Sequence, residues 1–544
     1  LLESGLALVR WRGRWVRLDP AEAARVLSVV RSRKAPCAME ALRLAVSGEA
    51  AADGELGEAV GLLVGAGRRE ADDAPVPASL QATLRPYQER GYRWMLGNFE
   101  RGLGCLLADD MGLGKTVQTI AAVLALKEAG RLGSGALVCA PASLLTNWER
   151  ELGRFAPSLS LCVYYGRGRA RREADVTLTS YETLIRDREK LAAGSWSLVV
   201  LDEAHYIKNP SSTRARAIKS IHGDRRLALT GTPVENDLSE LWSVFDFALP
   251  GYLGTLSRFS AEFRGPIELS RSEEAADTLR RAIAPFVMRR LKTDDAVAAD
   301  LPDKVVVNEY AALTPAQAAL YEAIASEGLA GVSSAEPEER LGRVLALITA
   351  LKQASNHPRN YDKESPGASD RSGKSRLLVA LLESVFAAGE RAIVFSQYVE
   401  MLDILSGIVR DELGVEPYLL HGGMAKRRRD EQVDRFQSER GPGVFLVSLR
   451  AGGVGLNLTA ATRVVHYDLW FNPAVESQAT DRAFRIGQRR DVFVHRLIAR
   501  DTIEERIDAM ISSKRALSEL TVRSGESWIG DLSDDELRAL VAPR

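Results

Sequence analysis

Short apolar runs alternate with longer amphipathic stretches over much of this 544-residue chain. After Leu84, the apolar runs predict strands that each end in a loop: GCLLAD, ALVCAPA, WSLVVLDEAH and RRLALTGTP. The stretch TVQTIAAVLALKEAG predicts a helix that ends at Gly130, and Ser143 is predicted to cap a second helix, LLTNWERELGRF. Strands separated by helices favour a parallel sheet whose ligand lies at the carboxyl ends of the strands.

The alternation fades between about Glu235 and Lys374 and then returns. Within this interval, amphipathic stretches such as RLGRVLALITALKQ predict helices, and PGASDRSGKS predicts a flexible connector. Beyond it, further apolar runs predict the strands RAIVFSQ, PYLLHG, VFLVSL, RVVHYDL and VFVHRLI. A charged helix is predicted from about Thr502 to Leu520. These patterns predict an α/β protein with two parallel-sheet lobes and helical insertions between them.

Composition divides the chain into five parts. Residues 1–80 are predicted to form a small N-terminal accessory region, which ends in the Pro-rich, acidic linker ADDAPVPAS. The remaining boundaries are predicted as a first lobe with a helical insertion at 81–300, a helical insertion and inter-lobe connector at 301–373, a second lobe with its closing helix at 374–521, and a C-terminal tail at 522–544.

Bulk composition narrows the class of protein. The formal net charge is −1, so any binding to nucleic acid must use local patches rather than the field of the whole protein. The four cysteines have no Cys-x-x-Cys spacing, so we expect a reducing compartment and no structural zinc. Apolar runs of membrane-spanning length and a signal-peptide pattern are both missing from the sequence. We expect a cytoplasmic protein, and the missing initiator methionine indicates a fragment of a longer chain.

The segment DDMGLGKT, at Asp109–Thr116, lies where a predicted strand turns into a predicted helix. Glycines allow backbone amides to wrap phosphates, and the N-terminus of the helix adds a positive dipole. Lys115 is expected to reach the β- and γ-phosphates of a nucleotide, and the Thr116 hydroxyl to hold Mg²⁺. The general phosphate-loop pattern has glycine where Asp109 stands. The alternative is a tight turn between strand and helix without a ligand.

Asp202 and Glu203 follow the apolar strand SLVVL, where a carboxylate can lie across the site from the phosphates. We expect Asp202 to hold Mg²⁺ through water and Glu203 to polarise the attacking water, with a role for Glu203 at the metal left open. A solvated strand end is the alternative. His205 is predicted to couple the lobes by hydrogen bonding, and a purely structural histidine is the other interpretation.

Arg482 and Arg485 lie three residues apart, a spacing that puts them on one face of a helix. Guanidinium groups there can stabilise the charge that develops on a transferring phosphoryl group. The alternative is a basic helix face that forms salt bridges with Asp481. The phosphate loop, the acidic pair and these arginines, in this order, predict a two-lobed motor driven by ATP.

The motifs of residues from about Leu84 to Glu505 resemble those of the Swi/Snf-type branch of superfamily two helicase-like ATPases. The matching segments are LRPYQERGYRW, DDMGLGKT, CAPASLLTNWERE, LTSYETL, LDEAHYIKN, LTGTPVEN, VFSQY, LHGGM, SLRAGGVGLNLT and TDRAFRIGQ. The family's usual phosphate loop is DEMGLGKT, so this chain departs from it at Asp110. The family's phosphate loop also begins with aspartate, so Asp109 is normal within this family.

The resemblance implies two RecA-like lobes that bind ATP and Mg²⁺. It implies that Gln88 contacts the adenine, and that further nucleotide contacts come from Asp110, Met111, Gly112, Leu113, Gly114 and Gly455. It also implies translocation along double-stranded DNA without strand separation. The phosphates of the duplex would be held by backbone amides, hydroxyls and local basic groups. Candidate DNA contacts are Ser143, Asn147, Thr179, Ser180, Arg450 and Asn457, with the basic runs Arg167–Arg172 and Lys426–Arg429 as further candidates.

Three functions remain open at this point. The first is a DNA-stimulated ATPase that displaces or remodels proteins bound to duplex DNA, acting as a monomer in the nucleoid. The second is a motor directed at RNA polymerase on nucleic acid. The third is an ATP-gated clamp that cycles too slowly to be a motor. A helicase that separates strands is less favoured, because the sequence has no obvious pin hairpin.

Overall fold

The computed structural model describes residues 8–11, 14–17, 38–49, 74–231, 237–292, 294, 303–449, 458–470, 473–485, 488, 490–517 and 534–541. Its strands, in chain order, are β1 Leu8–Trp11, β2 Arg14–Arg17, β3 Cys105–Leu107, β4 Ala136–Ala140, β5 Leu161–Val163, β6 Val176–Ser180, β7 Leu198–Leu201, β8 Arg226–Leu229, β9 Val287–Met288, β10 Lys304–Ala311, β11 Arg391–Ser396, β12 Tyr418–Leu420, β13 Gly443–Ser448, β14 Arg463–His466 and β15 Val492–Ala499. The strands predicted from apolar runs are therefore confirmed.

The α-helices are α1 Ala38–Val46, α2 Pro86–Glu100, α3 Lys115–Glu128, α4 Leu145–Phe155, α5 Tyr181–Arg186, α6 Arg188–Ala192, α7 Thr213–Lys219, α8 Leu238–Ala248, α9 Leu256–Phe259, α10 Gly265–Glu268, α11 Glu273–Ile283, α12 Pro315–Ser333, α13 Pro337–Asn356, α14 Pro358–Tyr361, α15 Gly373–Ala387, α16 Val399–Leu413, α17 Lys426–Ser438, α18 Pro473–Thr480, α19 Ile503–Leu517 and α20 Asp534–Val541. Short 3₁₀ segments lie at Ala204–Ile207, Ala284–Phe286 and Ser369–Arg371, and one π-helical turn lies at Ser260–Arg264.

Two separate parallel sheets organise the described residues. The first has seven strands in the order β5-β6-β4-β7-β8-β3-β9, and the second has six in the order β10-β15-β14-β11-β13-β12. All neighbouring strands within each sheet are parallel. The predicted α/β fold with two parallel-sheet lobes is therefore confirmed.

Each sheet is apolar on both faces because helices cover both. Leu137 and Val138 are neighbours in β4, yet they belong to hydrophobic clusters on opposite faces of the first sheet. Ile393 and Val394 in β11 divide in the same way between the two faces of the second sheet. A further cluster joins α12 and α13 to α19 and α20. This arrangement explains why the strands are continuous apolar runs rather than alternating ones.

The N-terminal region contributes a hairpin and a helix. Strands β1 and β2 pair antiparallel, and α1 packs against the first lobe. Arg43 of α1 is 1% exposed, contacts Glu262 at 3.3 Å and lies 5.3 Å from the centre of the Phe263 ring. The side chain of Arg281 also donates to the Ser47 carbonyl at 3.0 Å.

Three expectations about local structure are wrong. Ser143 does not cap α4, because the N-cap is Leu144 and no side chain makes a capping hydrogen bond there. The sheet of the second lobe begins at β10 and not at residue 374, because β10 pairs with β15 along its full length. The stretch PGASDRSGKS is no flexible connector, since Ser369, Ser372 and Ser375 are buried where α15 begins.

Lys374 explains why the end of this polar stretch is buried. Its side chain is 1% exposed, and Nζ lies 2.6 Å from a carboxylate oxygen of Glu504, which is 0% exposed. The amine also donates to Asn356 Oδ1 and to the Tyr467 carbonyl, both at 3.1 Å. Glu504 in turn accepts from the Ala499 amide at 3.0 Å. The pair therefore ties the start of α15 to α19 with nearly all of its polar atoms bonded.

We predict that Lys374→Met destabilises the second lobe by about 3–5 kcal/mol, because it leaves the Glu504 carboxylate buried without its partner. Urea unfolding followed by hydrogen exchange of second-lobe peptides measures this change. Arg410→Ala is the control, since Arg410 and Glu416 form an exposed pair, 47% and 72% accessible, that is worth at most about 1 kcal/mol. Equal shifts for the two variants would show that burial is not the cause.

Candidate nucleotide site between the lobes

The phosphate loop joins β3 to α3 and requires glycine at two positions. Gly112 and Gly114 have φ values of 83° and 77°, in the left-handed region that side chains disfavour. A Cβ on Gly112 would lie 2.9 Å from Cγ of Arg485, and one on Gly114 would lie 2.3 Å from Nε2 of Gln88. The loop therefore needs glycine both for its turn and for the close approach of these two side chains.

Lys115 and Gln88 hold the ends of this loop. Nζ of Lys115 donates to the carbonyls of Asp109 at 2.6 Å and Asp110 at 3.2 Å. Nε2 of Gln88 donates to the Leu113 carbonyl at 3.1 Å, and its Oε1 accepts from the Arg85 amide at 3.0 Å. Gln88 thus supports the loop directly, and its contact with adenine stays a prediction.

Asp109, which replaces the glycine of the general pattern, fixes the start of the loop through a buried ion pair. Its side chain is 0% exposed and forms a bidentate ion pair with Arg290, in which Nε lies 2.9 Å from Oδ1. Arg290 also donates to Gln118 Oε1 at 2.8 Å and to the Tyr87 carbonyl. Sequence reasoning missed Arg290; the available signal was a pair of cations directly after the apolar run FVM.

The acidic pair lies at the carboxyl end of β7. Asp202 accepts from Nε1 of Trp148 at 2.8 Å and from the Glu203 amide at 2.9 Å. Glu203 has a φ of 54°, a left-handed backbone that is uncommon for a residue with a side chain. Nδ1 of His205 lies 3.2 Å from Oε2 of Glu203. His205 therefore acts on Glu203 within the first lobe, and the predicted coupling of lobes by His205 stays a prediction.

The two carboxylates have different electrostatic surroundings. Burial, reinforced by the neighbouring charge of Glu203, raises the pKa of Asp202 to about 6. Burial is the largest influence on the pKa of Glu203 and acts to raise it, but the neighbouring His205 and the nearby positive charges together outweigh burial, and the net shift is downward. The positive charges of Lys115 and Arg482 act in the same direction. Glu203 is thus held ionised beside a carboxyl group that protonates more readily.

Arg482 reaches this pair from the second lobe. Its side chain is buried at 4% exposure, and Nε and Nη2 have no hydrogen-bond partner among the described residues. Burial lowers the pKa of Arg482 to about 10, and the charge of Glu203 opposes that shift. Buried guanidinium donors without partners in a cleft beside Lys115 are suited to an anionic ligand.

The arginines lie in a turn rather than on a helix face. Helix α18 ends at Thr480, and the next amides form short-range turn bonds, such as Arg482 N to Ala479 O at 3.2 Å. Nη2 of Arg485 lies 3.9 Å from Oε1 of Glu151 in the first lobe. From this turn, both arginine side chains are directed toward the facing lobe. A continuous helix with the same spacing would not impose that direction.

One narrow cleft brings most of the predicted nucleotide residues together. It is lined by Met111, Gly112, Gly114, Lys115, Thr116, Leu144, Asn147, Asp202, Glu203, Asp481, Arg482 and Arg485. The carboxylate of Asp202 and the hydroxyl of Thr116 are hard oxygen ligands of the kind that Mg²⁺ prefers, and Mg²⁺ is commonly held by one or two protein groups plus substrate phosphates. The donor set therefore fits the predicted metal.

The predicted DNA contacts fare differently. Thr179 and Ser180 are 0% exposed, and their hydroxyls bond to the Tyr164 carbonyl and to Thr183, so their assignment to a DNA surface is wrong. Asn147 lines the nucleotide cleft and donates to Glu151 at 2.9 Å, and its contact with DNA stays a prediction. Ser143 is exposed and stays a candidate. Arg450, Gly455 and Asn457 lie outside the described residues.

Comparison with known proteins identifies two families along the chain. A family model for the SNF2-related domain matches residues 87–360. A second, for the helicase conserved C-terminal domain, matches residues 373–487. Similar proteins include YwqA of Bacillus subtilis, named as an ATP-dependent helicase/translocase, with 43% identity over 86% of this chain and 51% of that protein.

A human protein, SWI/SNF-related matrix-associated actin-dependent regulator of chromatin subfamily A member 1, is 35% identical over 81% of this chain and 44% of its own. The chain thus spans about half of the length of these relatives. Among solved structures, the Sulfolobus solfataricus SWI2/SNF2 ATPase core in complex with dsDNA is 40% identical, covering 86% of this chain and 99% of that one with a TM-score of 0.44.

None of the helices in the described parts of the chain has the length and apolarity needed to cross a membrane. Two matched domains follow each other in the same order as the two sheets, with the phosphate loop in the first and the arginine turn in the second. Since the match at residues 87–360 covers half of the chain, the protein belongs to the SNF2-related family of helicase-like ATPases.

Proposed function

We propose that the protein hydrolyses ATP to move along double-stranded DNA without separating the strands, and that it displaces or remodels proteins bound there. The observation that carries this proposal is the position of Arg482. A buried guanidinium of the second lobe lies with unpartnered donors in the same cleft as Lys115 and Glu203 of the first lobe. Charge on a phosphate held by Lys115 would therefore act on both lobes at once.

A second cleft beside the first offers room for the nucleoside. Its volume is about 370 Å³, which is within the range of small-molecule sites. It is lined by Gln88, Gly112, Gly114, Val117, Ser143, Thr146, Asn147, Arg150, Glu151, Arg154, Phe155, Asp430, Val433, Asp434, Gln437 and Arg485. Because it shares the phosphate-loop glycines with the narrow cleft, one nucleotide can occupy both. Residues from α17 complete this cleft, so the base would also contact the second lobe.

Each catalytic side chain then has a separate task. Lys115 neutralises phosphate charge, and Glu203, whose pKa is lowered, accepts the proton of an attacking water. Arg482 stabilises the charge that develops during phosphoryl transfer. Mg²⁺, held by Thr116 and Asp202, would supply Lewis-acid stabilisation of phosphate oxygens when it is bound.

Duplex DNA is the substrate that the family's motifs favour. The human relative is named as a regulator of chromatin and YwqA as a helicase/translocase, names that fit a motor on nucleoprotein. With a net charge of −1, this chain must use local positive patches. Arg427 and Arg428 are exposed at the start of α17 and can contact phosphates. In the other basic run, Arg169 is occupied by Asp187 at 2.6 Å.

A motor acting on RNA polymerase and a slow ATP-gated clamp are the alternative proposals. The two alternatives differ in what stimulates ATP turnover. A clamp needs no stimulation by DNA, and a polymerase-directed motor needs the polymerase. An ATPase assay with and without nucleic acid therefore separates the three functions.

We predict that duplex DNA strongly stimulates ATP hydrolysis, equally for unrelated sequences, because phosphates rather than bases are contacted. Raising salt should weaken the apparent affinity steeply, with a slope set by the number of neutralised phosphates. The measurement compares turnover with no nucleic acid, single-stranded DNA, duplex DNA and duplex RNA. A preference for single strands or RNA, or displacement of an annealed strand by the protein alone, contradicts the proposal.

We predict that Glu203→Gln keeps ATP bound but lowers hydrolysis by roughly a hundredfold or more, the size of a general-base effect. The amide preserves the shape of the side chain and cannot accept the proton. Equilibrium nucleotide binding and single-turnover hydrolysis measure the two effects separately. Lys115→Ala is the comparison, and it should abolish hydrolysis in a folded protein. Loss of binding in Glu203→Gln would instead assign Glu203 to the metal.

We predict that Arg482→Ala spares ATP binding and removes most DNA-stimulated turnover, by on the order of a thousandfold. The interaction strengthens as charge develops, so it acts chiefly on the transition state. Arg482→Lys should restore little, because the ammonium lacks the planar fork of donors. Arg410→Ala, an exposed arginine of the same lobe, should keep the parental rate. Parental turnover in Arg482→Ala would rule out the two-lobe mechanism.

A further inference from the structure

The segment that follows β9 runs beside the phosphate loop and then reaches the second lobe. The Ala108 amide donates to the Met288 carbonyl at 2.7 Å, and the Asp110 amide donates to the Arg290 carbonyl at 3.0 Å. The Lys292 amide then donates to Oδ2 of Asp110 at 3.0 Å. The backbone of this segment is thereby fixed to the start of the loop. Asp110 makes this attachment without any contact to phosphate.

The side chain of Lys292 crosses to the arginine turn. Nζ donates to Oδ1 of Asp481 at 2.6 Å and to the Phe484 carbonyl at 2.7 Å. It also lies 4.8 Å from the centre of the Phe484 ring. The side chains of Lys292 and Asp481 are only 9% and 12% exposed. Water therefore screens this contact much less than an ion pair on the surface.

The two acceptors of Lys292 immediately precede the two arginines in the chain. Asp481 is next to Arg482, and Phe484 is next to Arg485. Asp481 and Arg482 both line the narrow cleft, and the charge of Asp481 acts to raise the pKa of Arg482, although burial outweighs that effect. A carboxylate on the residue next to a guanidinium whose Nε and Nη2 lack partners among the described residues is a ready ion-pair partner within this cleft. In this structure Asp481 bonds to Lys292 instead.

We propose that Lys292 is a positioning residue that holds the Asp481 carboxylate away from Arg482 and thereby keeps the guanidinium free for the γ-phosphate. This role rests on the proposed ATPase function. It also links the phosphate loop to the arginine turn, because the Lys292 backbone is bonded to Asp110. The lysine contacts neither substrate nor reacting atoms, so its effect passes through Asp481.

The charges of Lys292 and Asp481 indicate which variant isolates the effect of Lys292 on Arg482. Burial lowers the pKa of Lys292 and raises the pKa of Asp481, and each partner opposes the shift of the other. Removing the lysine alone leaves a buried carboxylate without its partner. That carboxylate can pair with Arg482 in Lys292→Met but not when Asp481 is also replaced by asparagine.

The test is a double-mutant cycle of Lys292→Met and Asp481→Asn, measured as kcat and KM for ATP in the presence of duplex DNA. We expect Lys292→Met to lower kcat about tenfold or more with KM changed less than about twofold, since a transition-state contact is lost. The double variant should recover to within about threefold of Asp481→Asn alone, because no carboxylate then competes for Arg482. Lys292→Arg should retain most turnover, because it keeps the positive charge.

The matched control is Lys219→Met, which removes a half-buried Lys219–Asp246 pair of 2.8 Å within the first lobe, outside the cleft. It should leave both kcat and KM at parental values. A double variant as slow as Lys292→Met, a parental kcat in Lys292→Met, or a change in KM alone would overturn the role of Lys292. If the parent protein hydrolyses no ATP, both the role of Lys292 and the proposed function are wrong. If the parent hydrolyses ATP and Lys292→Met is fully active, only the role of Lys292 is wrong.

Discussion

Charge buried at the boundary of the two lobes is the constraint on which the site depends. Ionised groups removed from water are stable only when another charge or a set of dipoles replaces the solvent. Asp109 is matched by Arg290, and Asp481 is matched by Lys292. Arg482 differs from these four groups, because two of its buried nitrogens have no hydrogen-bond partner among the described residues. An anion bound in the cleft would supply the hydrogen-bond partners that these two nitrogens lack.

The geometry of parallel sheets explains how so many charges come to one place. Strands β3 and β7, which are separated by β8, both end at the same edge of the first sheet, so the phosphate loop and the acidic pair leave the sheet on the same side. In the second sheet, β14 leads through α18 into the turn that carries the arginines. In each lobe, the loops that carry these charged residues thus lie at one edge of the sheet. Catalysis in such a site requires the two edges to face each other.

The sequence predicted the elements far better than it predicted contacts. Continuous apolar runs identify buried parallel strands, and glycines beside Lys115 identify the phosphate loop, because local chemistry is sufficient for both. The burial of Lys374 at the end of PGASDRSGKS could not be predicted, since it depends on Glu504, 130 residues away. Thr179 and Ser180 were misassigned for a similar reason: hydroxyls at a strand end bond equally well to protein or to phosphate. Arg290 and Lys292 follow a short strand that carries no motif, so only their partners reveal their roles.

The edge strand of the second sheet has a consequence for how the protein folds. Among the described strands, β10 pairs only with β15, and its Asn308 contacts Arg496, 188 residues further along the chain. Val305, Val306 and Tyr310 remain 40%, 53% and 43% exposed even after this pairing. During synthesis, β10 leaves the ribosome long before its partner strand exists. An apolar strand without its partner is prone to pair with other chains. The interval between the synthesis of β10 and β15 is thus the period in which the nascent second lobe is most exposed to aggregation.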